Sequence, residues 1–271
     1  MQPFSAKKSL GQNFLTNPKI AEKIAKATGI KAGETVLEIG PGTGMLTRAL
    51  LAEGAHVLAI EADNRAIEVL TETFQEEISA QKLVLSHEDI RATDINALPL
   101  PPTYKVAANI PYYLSGYLFE KMLGCTHQPA TLVFLVQKEV AERIARSKKE
   151  SILSLSVKAY GTPTYEGTVS RGNFVPAPRV DSAILKIDNV SKKHFTILEE
   201  DFFFHVLKTG FKARRKYLIG NLTELFSRDM LKKTFQTLAI PLTARGEDLP
   251  IETWCTLAQT LAQAPSHTEE E

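Results

Sequence analysis

From residue 17 onward, apolar positions alternate between two periods. Asn17 offers a helix cap and Pro18 a first-turn proline. Ile20, Ile24 and Ala27 then fall on one face and Lys19, Lys23 and Lys26 on another, which predicts an amphipathic helix. Short apolar runs at 35–39 and 56–61 are each followed by a helical period, over 44–53 and 64–77. Leu83-Val84-Leu85 predicts a third strand ending at Ser86-His87-Glu88-Asp89, and the proline-rich stretch 97–103 breaks structure. Residues 105–108 form a buried strand leading into Asn109-Ile110-Pro111-Tyr112. A helix at 115–123, a strongly apolar strand at 131–136 and a helix through 146 follow. Strand and helix alternating at this spacing predict an α/β fold with a parallel, doubly wound sheet.

The pattern changes at 153. Leu153-Ser154-Leu155-Ser156-Val157 alternates, as does Ala183-Ile184-Leu185-Lys186-Ile187, which predicts antiparallel late strands. Between them, Gly172 to Ser182 reads as a loop stiffened by Pro176 and Pro178. The polar, basic segment 189–194 reads as a linker, dividing the chain into a domain over 1–190 and a smaller helical domain over 195–264. The helical domain carries Phe202, Phe203, Val206 and Leu207, then Leu218 and Leu222, then Leu257 and Leu261 at amphipathic spacing. Residues 265–271 end in three glutamates and are expected to be a disordered tail.

Composition narrows the class of function more than it selects one. A chain of 271 residues can bury a full α/β core and still carry a small second domain. Its net charge of +1 gives no global attraction for nucleic acid, so local clusters carry that question. Cys125 and Cys255 lie far apart, as in a reduced, cytoplasmic chain without disulfides. None of the six histidines pairs with another His or a Cys at ligand spacing, so no metal is expected. No apolar run reaches transmembrane length and the N-terminus lacks a signal-peptide core, so the expectation is a soluble intracellular protein without a membrane partner. A monomer is expected.

The candidate chemistry lies at strand ends. Val36-Leu37-Glu38-Ile39 runs into Gly40-Pro41-Gly42-Thr43-Gly44, a glycine turn between a strand and a helix N-terminus. A dinucleotide fingerprint would need its third glycine at position 45, which is Met45, so a pyrophosphate is not the obvious guest. Glu61 stands 21 residues beyond Gly40 at the end of the next strand, where a carboxylate can accept both ribose hydroxyls. With Glu38 this points to an S-adenosylmethionine site. Glu38, Glu61, Asp89 and Asn109 all fall at carboxyl ends of successive strands.

Four segments carry a family resemblance: Gln12-Asn13-Phe14-Leu15, Leu37 to Gly44, Asn109-Ile110-Pro111-Tyr112, and Pro176-Ala177-Pro178-Arg179-Val180-Asp181-Ser182-Ala183. The chain resembles ribosomal RNA adenine N6-dimethyltransferases of the type acting near the 3′ end of small-subunit rRNA. Phe211-Lys212-Ala213-Arg214-Arg215-Lys216 is similar to the family's basic segment. Arg245-Gly246-Glu247-Asp248-Leu249 is similar to an element with a bulkier residue where Gly246 stands.

The resemblance implies a Rossmann-like S-adenosylmethionine-dependent sheet with a smaller C-terminal helical domain. It implies cofactor contacts from Asn13, Leu15, Gly40, Glu61, Asp89 and Asn109, to which Glu38, Gly42 and Gly44 of the turn are added. Simpler readings stand beside these: Asn13 as a turn residue, Asp89 as a helix cap, and Glu38 as a carboxylate holding backbone N–H groups of the glycine turn. Asn109, Pro111, Tyr112 and Phe174 are the implied catalytic set. The Asn109 amide oxygen and a backbone carbonyl beside Pro111 accept from the target amine, Tyr112 stacks on the base, and Phe174 closes the other side or is simply core.

RNA contact is assigned to Lys7, Lys8, Lys212, Arg214, Arg215 and Lys216, with a second basic cluster at Arg143, Arg146, Lys148 and Lys149. The implied partner is small-subunit rRNA in an assembling subunit. Rival readings are a large-subunit rRNA methyltransferase of the antibiotic-resistance type, a non-catalytic RNA-binding assembly factor, and a DNA adenine methyltransferase.

Overall fold

The computed structural model describes residues 6–7 and 11–263. Lys8 and the expected tail at 265–271 lie outside the described residues. The chain divides into two compact units. One runs up to Ala145 and resumes over Gly161–Val190; the other holds Arg146–Tyr160 and the residues from Ser191 on.

The first unit is built on a seven-stranded sheet. In chain order its early elements are β1 (Phe14–Leu15), α1 (Pro18–Ala27), β2 (Thr35–Ile39), α2 (Met45–Ala52), β3 (His56–Glu61), α3 (Asn64–Thr73), α4 (Gln75–Ser79) and β4 (Leu83–His87). Then come β5 (Lys105–Asn109), α5 (Ser115–Gly124), β6 (Thr131–Gln137) and α6 (Lys138–Ala145). After an excursion through α7 (Ile152–Lys158) of the other unit, β7 (Thr162–Val169), β8 (Phe174–Val175) and β9 (Ser182–Asp188) complete it. The sheet order is β4-β3-β2-β5-β6-β9-β7, with the first five strands parallel and the last two antiparallel. Val36, Leu37, Val106, Ala107 and the run Leu132–Val136 are fully buried, as strands covered by helices on both faces require. Chain order reverses between β2 and β5, which opens a crevice at their carboxyl ends.

Helix α1 starts as expected, with the Asn17 side chain accepting from the Lys19 N–H at 3.1 Å and Ile24 buried. The single helix expected over 64–77 is two helices, broken at Phe74 (φ −119°, ψ 34°), whose ring is buried in the core.

The strand expected at 153–157 is α7. Ser151 caps it reciprocally: the Ser154 N–H donates to Ser151 Oγ at 3.1 Å, and the Ser151 N–H donates to Ser154 Oγ at 2.7 Å. Local capping overrides an alternation that five residues cannot make decisive. The antiparallel neighbour of β9 is instead β7, which carries Pro163 and a register irregularity between Tyr165 and Gly167, as edge strands do.

The second unit is helical: α7, α8 (Glu200–Gly210), α9 (Leu218–Leu222), α10 (Arg228–Thr237) and α11 (Ile251–Ala262). Trp254 of α11 is fully buried, stacks on Phe211 at 5.8 Å and donates Nε1–H to the Gly246 carbonyl at 3.1 Å. A Cβ at Gly246 would stand 3.1 Å from the Phe211 ring, so the small residue there leaves room for that aromatic.

Replacing Ser151 with Ala removes the Oγ that accepts the Ser154 N–H and should cost about 1 kcal/mol of stability. Urea denaturation checks this, and an unchanged midpoint would show that the cap contributes nothing.

Candidate functional site

Beyond β2 the chain turns through three glycines with positive φ: Gly40 (68°), Gly42 (58°) and Gly44 (80°). The Gly42 N–H donates to Glu61 Oε2 at 3.0 Å, and the Asp63 N–H donates to Oε1 of the same carboxylate at 2.9 Å. Glu61, not Glu38, is therefore the carboxylate that binds the turn. A Cβ at Gly42 would meet the Phe14 ring at 3.2 Å, so the bare backbone lets the N-terminal arm close onto the turn. Gly44 does something else. It is absent from the wall of the cavity described next, and a Cβ there would strike Phe74 at 2.5 Å, so it serves the packing of α2 against the core.

One cavity lies at the carboxyl ends of the parallel strands. The structure brings Asn13, Leu15, Glu38, Gly40, Gly42, Glu61, Asp89, Asn109, Pro111, Tyr112 and Phe174 to its wall. The arm makes much of it. Its strand β1 pairs with β8, setting Leu15 opposite Phe174. The Asn13 side chain donates to the Gly11 carbonyl at 3.1 Å, as a turn residue does, and its backbone carbonyl accepts from Asn109 Nδ2 at 3.2 Å. That bond fixes the Asn109 amide with its nitrogen toward the arm and its oxygen left as an acceptor.

The carboxylates differ in environment. Burial pushes Glu38 up to about 8, with Thr47 opposing the shift and the Glu61 charge adding to it. Glu38 Oε2 and Thr47 Oγ1 have no hydrogen-bond partner among the described residues. Burial also raises Glu61, against the backbone donors of Asp63 and Gly42. Asp89 is lowered chiefly by the Arg91 guanidinium, and its Oδ1 also accepts the Arg91 backbone N–H at 2.9 Å, so it does cap the following turn while facing the cavity. Asp63, the cap of α3, gathers Arg65 (2.6 Å), Gln12 of the arm (3.0 Å) and Lys7 (3.5 Å). Sequence reasoning missed Asp63 and Gln12, whose link is 51 residues apart in the chain.

Tyr112 shares a 2.7 Å hydrogen bond with the fully buried Ser182, and burial raises its phenol. Phe174 is both buried and on the cavity wall, so core and site are one position. Tyr113, unremarked in the sequence, also lines the cavity although 59% exposed.

S-adenosylmethionine carries a sulfonium, an amino group and a ribose. Four carboxyl groups (Glu38, Glu61, Glu88 and Asp89), an unpartnered buried oxygen on Glu38, and open space at Gly40, where a Cβ would meet nothing within 4 Å, fit such a cation. Glu61 retains lone pairs for ribose hydroxyls beyond the two it gives to backbone donors. Among the described residues no group of three or more metal-ligating side chains occurs.

Several of the expected RNA-binding cations are already paired. Lys7 meets Asp63, Lys212 meets Glu224 at 2.6 Å, Arg143 pairs with Glu139, and Lys149 pairs with Asp248. Arg214, Arg215 and Lys216 are exposed and make no ion pair among the described residues.

The family model described as ribosomal RNA adenine dimethylase matches residues 3–263. The ribosomal RNA small subunit methyltransferase A of Streptococcus agalactiae serotype V is 38% identical over 272 residues, covering 96% of this chain and 93% of that protein. Its counterpart in Enterococcus faecalis is 36% identical over 271 residues, covering 95% and 91%. Among solved structures, a dimethyladenosine transferase from Plasmodium falciparum aligns with TM-score 0.78 and 27% identity over 90% of this chain and 95% of that one. The 23S rRNA methyltransferase ErmE aligns with TM-score 0.74 at 23% identity over 93% and 100%, a likeness of fold.

In the folded protein Glu38 keeps its proton up to about pH 8, while an unfolded chain releases it near 4.5. The folded state binds more protons between these values, so the stability tied to neutral Glu38 is complete below the lower pH and is lost as pH rises toward the upper. Glu38→Gln should remove that slope. Denaturation midpoints at pH 5 and pH 8 should show the parent losing ground to the variant, and parallel profiles would refute the assignment.

Proposed function

Because the chain belongs to the ribosomal RNA adenine dimethylase family, we propose that this S-adenosylmethionine-dependent methyltransferase dimethylates N6 of two adjacent adenosines near the 3′ end of small-subunit rRNA, as a step in small-subunit biogenesis. The observation that carries the mechanism is the Asn109 amide, on the cavity wall and clamped through its nitrogen to the arm, which leaves its oxygen to accept.

The cofactor supplies the methyl group as a sulfonium, whose positive charge disappears on transfer, so no growing anion needs stabilising. The difficulty is the acceptor: the adenine amine has its lone pair delocalised into the ring. Two acceptors on its N–H groups draw that nitrogen toward tetrahedral geometry. Asn109 Oδ1 is one. The Pro111 carbonyl already accepts the Leu114 N–H at 2.9 Å, which leaves the Ile110 carbonyl as the second. Pro111, lacking an N–H and with φ fixed, stiffens the turn that holds both. Tyr112 stacks on the extruded base and Phe174 bounds its far side. The proton leaves to water after transfer, so positioning and fixed dipoles do the work without a general base.

Glu61 takes the ribose, Asp89 the adenine amine of the cofactor, Glu38 and the turn at Gly40 and Gly42 the remainder, with Asn13 and Leu15 closing over them. Names of relatives 36–38% identical along nearly the whole chain favour the small subunit over the large. The substrate is the folded rRNA of an assembling subunit, met by a monomer in the cytoplasm. No helix among the described residues is long and apolar enough to cross a membrane. The helical unit supplies phosphate contacts through Arg214, Arg215 and Lys216. Radiolabelled methyl transfer to unmethylated small subunits, naked small-subunit rRNA, large subunits and DNA, run in parallel, tests the whole reading; transfer confined to large subunits or DNA would overturn it.

Asn109→Ala should abolish most methyl transfer with a smaller loss of cofactor affinity, whereas Glu61→Ala should weaken cofactor binding by roughly 1.5–3 kcal/mol. Calorimetry and single-turnover rates separate the two, and equal turnover in the Asn109 variant would end this account.

Neutralising Arg214, Arg215 and Lys216 together should weaken RNA binding and flatten its salt dependence by up to about 0.7–0.9 for each phosphate no longer bound. A parental salt slope would remove these residues from the interface.

A further inference from the structure

Beside the cavity, three side chains one helical turn apart face outward in sequence: Tyr113, Tyr117 and Lys121. Tyr113 closes the 3-10 turn after Pro111, and Tyr117 and Lys121 follow on α5. Tyr113 and Tyr117 are 59% and 39% exposed. A single exposed aromatic needs no explanation, but two in register at the mouth of a catalytic cavity do.

Both rings are held in place. The Tyr113 ring lies on Gly11 of the arm, so close that a Cβ at Gly11 would be 2.9 Å from Cε1. The Tyr117 hydroxyl donates to the Arg91 carbonyl at 3.0 Å. Lys121 Nζ donates to the same carbonyl at 3.3 Å and sits 5.6 Å over the Tyr117 ring. Rings already fixed while exposed lose little freedom when something stacks on them.

The charge is also defined. Arg91 is committed to Asp89, with which it forms a close ion pair. Lys121 bonds the Arg91 carbonyl and the Tyr117 hydroxyl but makes no ion pair among the described residues, so the stripe carries a cation whose charge no carboxylate neutralises. Exposed aromatic rings with a cation at one end of the row suit a single-stranded nucleotide, base on ring and phosphate on ammonium.

The reaction creates a need for such a surface. An adenosine drawn out of its stack leaves its neighbour with one face uncovered, and that unstacking costs energy. We propose that Tyr113, Tyr117 and Lys121 form a second nucleotide subsite, which stacks the base flanking the target adenosine and binds its phosphate. The subsite rests on the rRNA-methyltransferase reading above and adds to it where the flanking nucleotide goes. Tyr112 serves the target base, and Tyr113 serves the base next to it. The stripe thereby offsets part of the extrusion cost and narrows the substrate to strands that can unstack at this point.

The test uses the full chain and small-subunit rRNA carrying 2-aminopurine beside the target adenosine. With the parent, binding should change 2-aminopurine fluorescence as the base moves onto Tyr113. Tyr113→Ala should lose that change, and Tyr113→Ala and Tyr117→Ala should each raise KM for RNA roughly five- to tenfold. Tyr117→Phe, which keeps the ring and loses the bond to Arg91, should stay within about twofold of the parent, a distinction that a purely structural tyrosine would not make. Lys121→Gln should lower the salt slope of RNA binding by about 0.7. Cofactor affinity of the Tyr117 and Lys121 variants, measured by calorimetry, reports that they are folded.

Parental RNA kinetics and an undiminished fluorescence change in the tyrosine variants would overturn the subsite while leaving the methyltransferase reading intact. Loss of activity on assembled subunits alone, with naked rRNA handled as by the parent, would also overturn it, since the stripe would then meet a protein. A parent that methylates no rRNA would instead fail the underlying reading, and the subsite would fall with it.

Discussion

The bond between the Gly42 N–H and the Glu61 carboxylate is the constraint on which the site depends. A left-handed backbone at Gly42 aims that N–H across to the neighbouring strand end, and only a residue without a Cβ leaves room for Phe14 on its other side. Phe14 is the anchor of the arm, which pairs with β8 and places the Asn13 carbonyl against the Asn109 amide. Gly11 of the same arm supports Tyr113. The glycine turn, the arm and the loop that starts at Asn109 are therefore linked through these contacts. A change in the turn reaches Asn109 through two contacts, neither of them adjacent in sequence.

Placing several carboxyl groups at one cavity raises an electrostatic cost that the structure meets separately at each. At Glu61, backbone N–H groups point at both oxygens and oppose the upward shift that burial imposes. Asp63 and Asp89 are held low by Arg65 and Arg91, each two residues along the chain from its partner. Glu38 has no cation beside it and no donor on Oε2, so burial leaves it protonated near neutral pH. An arriving cation would favour its ionised form.

The parallel half of the fold was legible because its strands β2, β3, β5 and β6 are apolar runs with glycine or proline close to at least one end, alternating with segments of helical period. Glu38, Glu61, Asp89 and Asn109 meet at one cavity because parallel strands put all their carboxyl ends on one side, which strand order alone reveals. Legibility failed where five-residue patterns competed. Leu153-Ser154-Leu155-Ser156-Val157 has the strand period, yet Ser151 and Ser154 cap each other and make it a helix. Strand β7 escaped notice because Pro163 and Gly167 dilute its pattern, which an exposed edge tolerates. Gly44 sits in the glycine motif but packs on Phe74, a partner known only once α3 breaks where it does. Tyr113 and Tyr117 gave no signal either, since i, i+4 aromatics read as core until their exposure is seen.

The distribution of charge also separates what enters the cavity from what stays outside. The cofactor pocket is lined by Glu38, Glu61, Glu88 and Asp89, and Arg91, the cation on its wall, is paired with Asp89. Carboxylates at the cavity repel phosphates and attract a sulfonium, an effect that a low-dielectric wall strengthens. Such a wall favours an uncharged base over a phosphate inside the cavity. The same acids favour turnover. Methyl transfer leaves the cofactor's sulfur neutral, so the attraction that loads the site is weaker for the spent cofactor than for the fresh one. Binding energy that vanishes with the reaction opposes product inhibition without any moving part, and an enzyme that adds two methyl groups to one nitrogen must exchange its cofactor between them.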